Sequence, residues 1–356
     1  MRLLLIVLLL LFSSGVHSQN AAANKFRNRI LEDRFIQING IEQWITIRGD
    51  STRPVILFIH GGPGSPMSPY ADRVYGSWEK DFVLVQWDQR GTGRTYGRNA
   101  PAELSPEYLR SNPLSVEQMT ADGIAVAEHL VKRFAKQRII LFGTSWGSVL
   151  AVKMAQQRPD LFYAYIGHSQ IVNPVAGAVD AYENLYRLAQ VANDYEALDV
   201  LKAIGKPPYD TARNSGKLIR ITKQYQQKNS MPAPASWFEL PPHYNNEKDE
   251  EDRNNGDDYS FVNYAGDKRL GVTSMSFSID FIKDGLLFKI PVYLIQGEDD
   301  IQTPVKITKE YFEKLKAPHK QFFLLPRTDH GFNQSVVDMH YKIMKMFIMP
   351  LIDKDR

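Results

Sequence analysis

Short unbroken apolar runs alternate with amphipathic stretches along most of this chain. Pro54 to Ile59, Phe82 to Trp87, Arg138 to Phe142, Phe162 to Gly167, Ile290 to Gln296 and Gln321 to Leu325 carry runs of the kind that strands buried on both faces require. Phe35 to Ile38 and Ile41 to Ile47 flank Asn39-Gly40, a two-residue hairpin signal. Helical spacing follows several of these runs. Ser115 and Gln118 form a capping-box pattern at the head of a helix running to about Ala135. A second helix ends at Gln157, before Arg158-Pro159. A third opens at Pro304 with Thr303 as N-cap, and a last one runs from Gln334 to Met349, stopped by Pro350.

From Ile171 to Leu287 the alternation is lost. Tyr182, Leu185, Tyr186 and Ala189 repeat at helical spacing, as do Leu198, Leu201 and Ile204, with proline pairs between segments. The pattern predicts an α/β fold, with a mostly parallel central sheet flanked by helices and an inserted, mainly helical cap subdomain. Residues 19–170 and 288–356 would form the core and 171–287 the cap, with 19–33 as a polar leader. The acid- and asparagine-rich tract Glu247 to Asp258 reads as a solvated cap loop. It fails as an EF-hand, because Gly256 in the glycine position puts Arg253 at a ligand position and Val262 at the last one.

Composition adds bounds. The 356 residues are 43% hydrophobic and 23% charged, with net charge +3 and no cysteine. This length supports a large core, and without a basic run nucleic acid is not an expected partner. Thiol catalysis, disulfides and a lipidated cysteine are excluded. Met1-Arg2, an apolar run from Leu3 to Phe12 and the small, polar Ser13 to Ser18 read as a secretory signal over residues 1–18. The expectation is an exported, periplasmic or secreted protein with no stable membrane span after cleavage; an uncleaved N-terminal anchor is the alternative.

The chemistry centres on Gly143-Thr144-Ser145-Trp146-Gly147-Ser148. Gly-x-Ser-x-Gly between a buried strand and a helix is a strained turn that lifts a serine nucleophile above a sheet. The two glycines are needed because a side chain two residues before or after the serine would collide with the turn. A serine needs a base, and the base an orienting acid, in the order serine, acid, histidine on loops after successive strands. His330, after the strand ending at Leu325, fills the base position. Glu298, Asp299 and Asp300 compete for the acid; Gly297, Asp300 and Pro304 give the spacing that selects Asp300, with Asp299 as runner-up. The oxyanion donors would be the amide of Trp146 and that of Gly61 or Gly62 in His60-Gly61-Gly62-Pro63-Gly64.

That glycine loop, Trp87-Asp88-Gln89-Arg90-Gly91-Thr92-Gly93-Arg94-Thr95 and Gly143 to Ser148 together resemble the prolyl aminopeptidases (proline iminopeptidases) of the α/β-hydrolase superfamily. The likeness covers most of residues 35–170 and resumes around 290–335. It implies a metal-free, cofactor-free serine peptidase releasing an N-terminal residue, often proline, from short peptides, with Ser145, Asp300 and His330 as its triad. In the family, acidic cap residues bind the substrate's free amino group. That motif has no match here; Glu183, Glu196 and Glu239 are stand-ins, Glu239 favoured because it follows Trp237-Phe238. Asp88 and Arg90 are expected to brace the glycine loop. A carboxylesterase or amidase acting on small substrates uses the same machinery, and a non-catalytic binding module would need a broken triad. Epoxide hydrolase chemistry needs a carboxylate at the elbow, where this chain has serine. Oligomeric state is not legible.

Overall fold

The computed structural model describes residues 28–354, so the expected leader at 1–18 lies outside the described residues. Among the described residues, eight strands form one sheet in the order β1-β2-β4-β3-β5-β6-β7-β8. β1 (Arg29–Ile38) and β2 (Ile41–Asp50) make an antiparallel hairpin through Asn39-Gly40. β2 runs antiparallel to β4 (Val83–Trp87). All later pairings are parallel, through β3 (Val55–Ile59), β5 (Ile139–Thr144), β6 (Phe162–His168), β7 (Val292–Gly297) and β8 (Lys320–Leu325). Apolar side chains of β3 alternate between two cores: Leu57 and Ile59 pack on one face of the sheet, Ile56 and Phe58 on the other. Strands covered on both faces need no polar alternation, which is why they read as continuous apolar runs.

β1 begins at Arg29, inside the stretch expected to be leader. It lies at the sheet edge, so its first half alternates between exposed and half-buried positions and reads as polar.

Helices α1 (Gly93–Asn99), α2 (Val116–Arg133) and α3 (Trp146–Gln157) follow β4, precede β5 and follow β5 respectively. Ser115 caps α2 by accepting from the Gln118 amide, as its sequence position predicts. Between β6 and β7 the chain leaves the sheet for α4 (Pro174–Ala192), α5 (Tyr195–Ile204), α6 (Ala212–Gln226) and α7 (Glu247–Ala265). Leu185, Leu201, Leu218 and Ile221 give this insertion its own small core.

The tract expected to be a solvated loop is the first two-thirds of α7. Asn246 caps it, and Glu247, Asp249 and Glu250 place negative charge in its first turn, where the helix dipole favours it. Its buried face is mostly polar or small, with Asp249, Asp252, Gly256, Ser260 and Asn263 beside the aromatic Tyr259, so no apolar stripe announces it. The face docks on α1. Arg94 is sandwiched between the Trp44 and Tyr244 rings, at 4.7 and 4.0 Å, and its guanidinium grips Asp249 through two bonds of 2.6 and 2.9 Å. Cation–π contact and a bidentate ion pair, both largely shielded from water, add here to the packing of Tyr259 on Tyr96.

The last helices also differ from expectation. α8 (Val305–Lys314) has Pro304 at its N-cap, and Thr303 turns its hydroxyl to Asp300 instead. α9 (Gln334–Ile343) passes through a π-turn, Met344–Ile348, into Met349–Lys354, so Pro350 does not end it. The wider turn just ahead of the proline makes room for a ring that would clash with the carbonyl four residues back.

Candidate active site

Ser145 stands between β5 and α3 with φ 50° and ψ −121°, a conformation that costs a non-glycine residue energy and persists only where surroundings impose it. The surroundings are specific. The Ser145 amide donates to the His168 carbonyl at 2.9 Å. Ser148 Oγ donates to the Ser145 carbonyl at 2.6 Å and accepts from the Ile171 amide and Gln170 Nε2, tying elbow to cap. A Cβ on Gly147 would lie 2.0 Å from the Ile59 carbonyl oxygen, so only glycine lets α3 approach β3 this closely.

His330, in the loop after β8, places Nε2 2.8 Å from Ser145 Oγ. Its Nδ1 lies 3.0 and 3.2 Å from the two Asp300 oxygens. With Nδ1–H donating to Asp300, Nε2 carries the lone pair to which the serine hydroxyl donates. Asp300, in the loop after β7, is fully buried and accepts from Gln296 Nε2, the Thr303 amide and Thr303 Oγ1 at 2.8, 2.8 and 2.6 Å. Burial alone would raise its pKa; the facing His330 and these donors outweigh it and hold the carboxyl below its usual value. Asp299, the rival acid, is pushed upward by partial burial and the neighbouring Glu298 and Asp329, and it is Asp300 that faces His330 Nδ1.

The glycine loop closes over the same serine. A Cβ on Gly61 would lie 3.2 Å from Ser145 Cβ, and Gly62 lines the cavity into which Ser145 opens. Trp146 is the first residue of α3, where the helix leaves its amide without an intrahelical partner. The residue bracing this loop is Gln89, which the sequence did not single out. Gln89 Nε2 donates to the His60 carbonyl at 2.9 Å, and its Oε1 accepts from Trp146 Nε1 at 3.0 Å. Arg90 instead pairs with buried Asp122 and reaches the hairpin turn at Asn39. Asp88 accepts from Ser68 Oγ and the Arg94 amide, and burial pushes it up to about 7.

The cavity has a volume of about 130 Å³ and lies under the cap. Ile171, Val172, Leu218, Ile219, Phe261 and Ile307 give it an apolar wall; Gln302 and Thr303 meet it beside His330. Among the described residues lining it, none is charged. Glu239 is not among them: it is exposed and pairs with Arg73 at 3.1 Å. Glu183 pairs with Lys206 on the outer surface of the cap. The carboxylate set against the glycine loop is Asp257 of α7, which accepts from Ser65 Oγ at 3.0 Å and packs on Gly64. It lies one helical turn before Phe261 of the cavity wall.

The family model described as serine aminopeptidase, S33, matches residues 50–333. A probable aminopeptidase of Bacillus subtilis is 29% identical over 308 residues, covering 83% of this chain and 89% of the relative. A probable proline iminopeptidase of Streptomyces coelicolor is 34% identical over 116 residues, 33% of this chain and 32% of that protein. Among solved structures, the proline iminopeptidase-related protein of Thermus thermophilus matches with a TM-score of 0.59 at 18% identity, over 90% of this chain and 99% of that one. A Vigna radiata epoxide hydrolase matches with a TM-score of 0.53 at 18% identity, over 89% and 99%. At such identity these two show a shared α/β-hydrolase fold.

Proposed function

Because this chain belongs to the serine aminopeptidase S33 family of α/β-hydrolases, we propose that it is an aminopeptidase that releases N-terminal residues from short peptides through Ser145, His330 and Asp300. The observation that carries this reading is the hydrogen-bonded series from Asp300 to His330 to Ser145, opening into a cavity under a cap. Ser145 Oγ attacks the scissile carbonyl and His330 Nε2 takes its proton. Asp300 holds the imidazole with Nδ1–H towards itself and stabilises the imidazolium. The amides of Trp146 and of Gly61 or Gly62 receive the oxyanion. The His330 proton passes to the leaving nitrogen as the C–N bond breaks. Water then repeats the sequence on the acyl-enzyme.

The apolar wall fits an uncharged side chain such as proline or leucine. Asp257, at the glycine loop, supplies the carboxylate for a substrate ammonium. The absence of charge among the described lining residues favours a second reading, an esterase or amidase acting on blocked or small acyl groups. A panel of aminoacyl-naphthylamides with free and N-acylated amines separates the two. The aminopeptidase reading expects free-amine proline or leucine compounds to be preferred by roughly tenfold or more in kcat/KM, a preference that Asp257→Asn abolishes. Preference for the blocked compounds would leave the amidase reading in its place.

A further inference from the structure

Gln302 is unlike the other residues of the cavity wall. It sits two residues after Asp300, in a turn fixed by the Thr303 amide donating to Asp300 Oδ1 at 2.8 Å and by the Ile301 amide donating to Gln226 Oε1 of α6. Its Nε2 lies 3.1 Å from His330 Nε2, the ring atom that also faces Ser145 Oγ. Its Oε1 is buried and has no hydrogen-bond partner among the described residues. Among the described residues lining the cavity, no other side chain has such an orphaned polar atom. A buried acceptor without a donor is unfavourable unless something else fills the place.

We propose that Gln302 is a specificity residue whose Oε1 accepts the N–H of the scissile bond, favouring amides over esters of the same acyl group. This rests on the reading of Ser145 as nucleophile and His330 as base. At rest Ser145 Oγ and Gln302 Nε2, at 2.8 and 3.1 Å, share the single lone pair of His330 Nε2. Once Nε2 has taken the Ser145 proton it is a donor and can no longer accept, so the carboxamide turns and presents Oε1. In the tetrahedral intermediate the leaving nitrogen must aim its lone pair at His330 Nε2–H. Its own N–H is then swung out of the planar amide arrangement into the cavity, beside Gln302. As C–N breaks, the electron pair goes to nitrogen, the His330 proton follows it, and a neutral amine leaves. An ester oxygen carries no hydrogen and gains nothing from this acceptor.

The test compares the 4-nitroanilide and the methyl ester of one amino acid on wild type, Gln302→Met and Gln302→Glu. Methionine keeps the volume and removes the acceptor; glutamate keeps an acceptor. The expected result is that Gln302→Met lowers kcat/KM for the anilide by tenfold or more and for the ester by less than threefold, while Gln302→Glu keeps the anilide-to-ester ratio within threefold of wild type. An equal fall on both substrates, or no fall on the anilide, overturns the proposal. Labelling of Gln302→Met by a fluorophosphonate at the wild-type rate shows that nucleophile and base are intact. Loss of the Gln302 effect with labelling retained therefore rejects this inference alone, whereas absence of labelling in wild type rejects the reading it rests on.

Discussion

Alanine in place of Ser145 is expected to lower kcat by at least about 10⁴-fold and to leave the fold unchanged. The hydroxyl contributes only its contact with His330 Nε2, whereas the elbow is held by the Ser145 amide and carbonyl, which alanine keeps. Thermal unfolding within about 2 °C of wild type, beside that loss of turnover on a naphthylamide, is the combined result to look for. Asp300→Asn should cost on the order of 10⁴-fold by a different route. Asp300 accepts from three donors besides His330, so an amide NH₂ there must face at least one donor and loses its hold on the Nδ1–H tautomer. Turnover by Ser145→Ala within tenfold of wild type would remove Ser145 from the chemistry.

The second large effect is acid instability centred on histidines outside the reaction. Burial pushes His60 down to about 4 and His168 down to about 3, and holds His340 well below the ordinary 6.5. His168 and His340 face each other at 5.4 Å against Phe332 and Phe142, and none of their four ring nitrogens has a hydrogen-bond partner among the described residues. The charged groups that bear on His168 are His330, which lowers it further, and Asp300, which raises it. Each folded value lies below the unfolded one, so the unfolded chain takes up protons first as pH falls. The stability of the neutral rings is whole above about pH 6.5 and is lost as pH falls towards the folded values. Between pH 7 and 5 each ring costs about 2 kcal/mol. Asp88, raised to about 7 by burial, opposes this with about 2 kcal/mol gained on protonation. From these four groups the net loss is on the order of 4 kcal/mol, a large part of a typical domain's stability. Urea melts at pH 7 and pH 5 measure it, and His340→Phe should reduce the drop by about 2 kcal/mol. An unchanged drop in that variant would contradict the account. Because His168 lends its carbonyl to the Ser145 amide, acid unfolding here reaches the elbow directly.

What was legible in the sequence shares one property: a fixed spacing imposed by backbone geometry. The elbow needs glycine at 143 and 147, the glycine loop needs small residues beside Ser145, and the acid and histidine loops follow strands whose burial leaves a continuous apolar run. Ser145, Asp300, His330, Gly61, Gly62 and Trp146 accordingly come together in space. Features held by single polar contacts left no such trace. Nothing in the pattern around Gln302 separates it from a surface glutamine, although it touches His330; Gln89 stands inside the motif that carries the family resemblance, but spacing does not distinguish it from Asp88 or Arg90 as the brace of the glycine loop. α7 hid its helix because it docks through Asp249, Gly256 and Ser260, so the usual apolar stripe is missing and its acids read as solvated. Glu239 follows two aromatics in the sequence, yet they do not carry it to the cavity. Trp237 turns into the core, Phe238 packs on Tyr70 at the surface, and the carboxylate goes to Arg73.

The central claim is that Ser145 is a nucleophile activated by His330. Its most direct measurement is reaction of the purified protein with a fluorophosphonate, followed by mass mapping of the modified peptide. The account predicts one adduct per chain, on Ser145, abolished in Ser145→Ala and slowed by at least about a hundredfold in His330→Ala. No adduct, or an adduct on another residue with Ser145 unmodified, would contradict it.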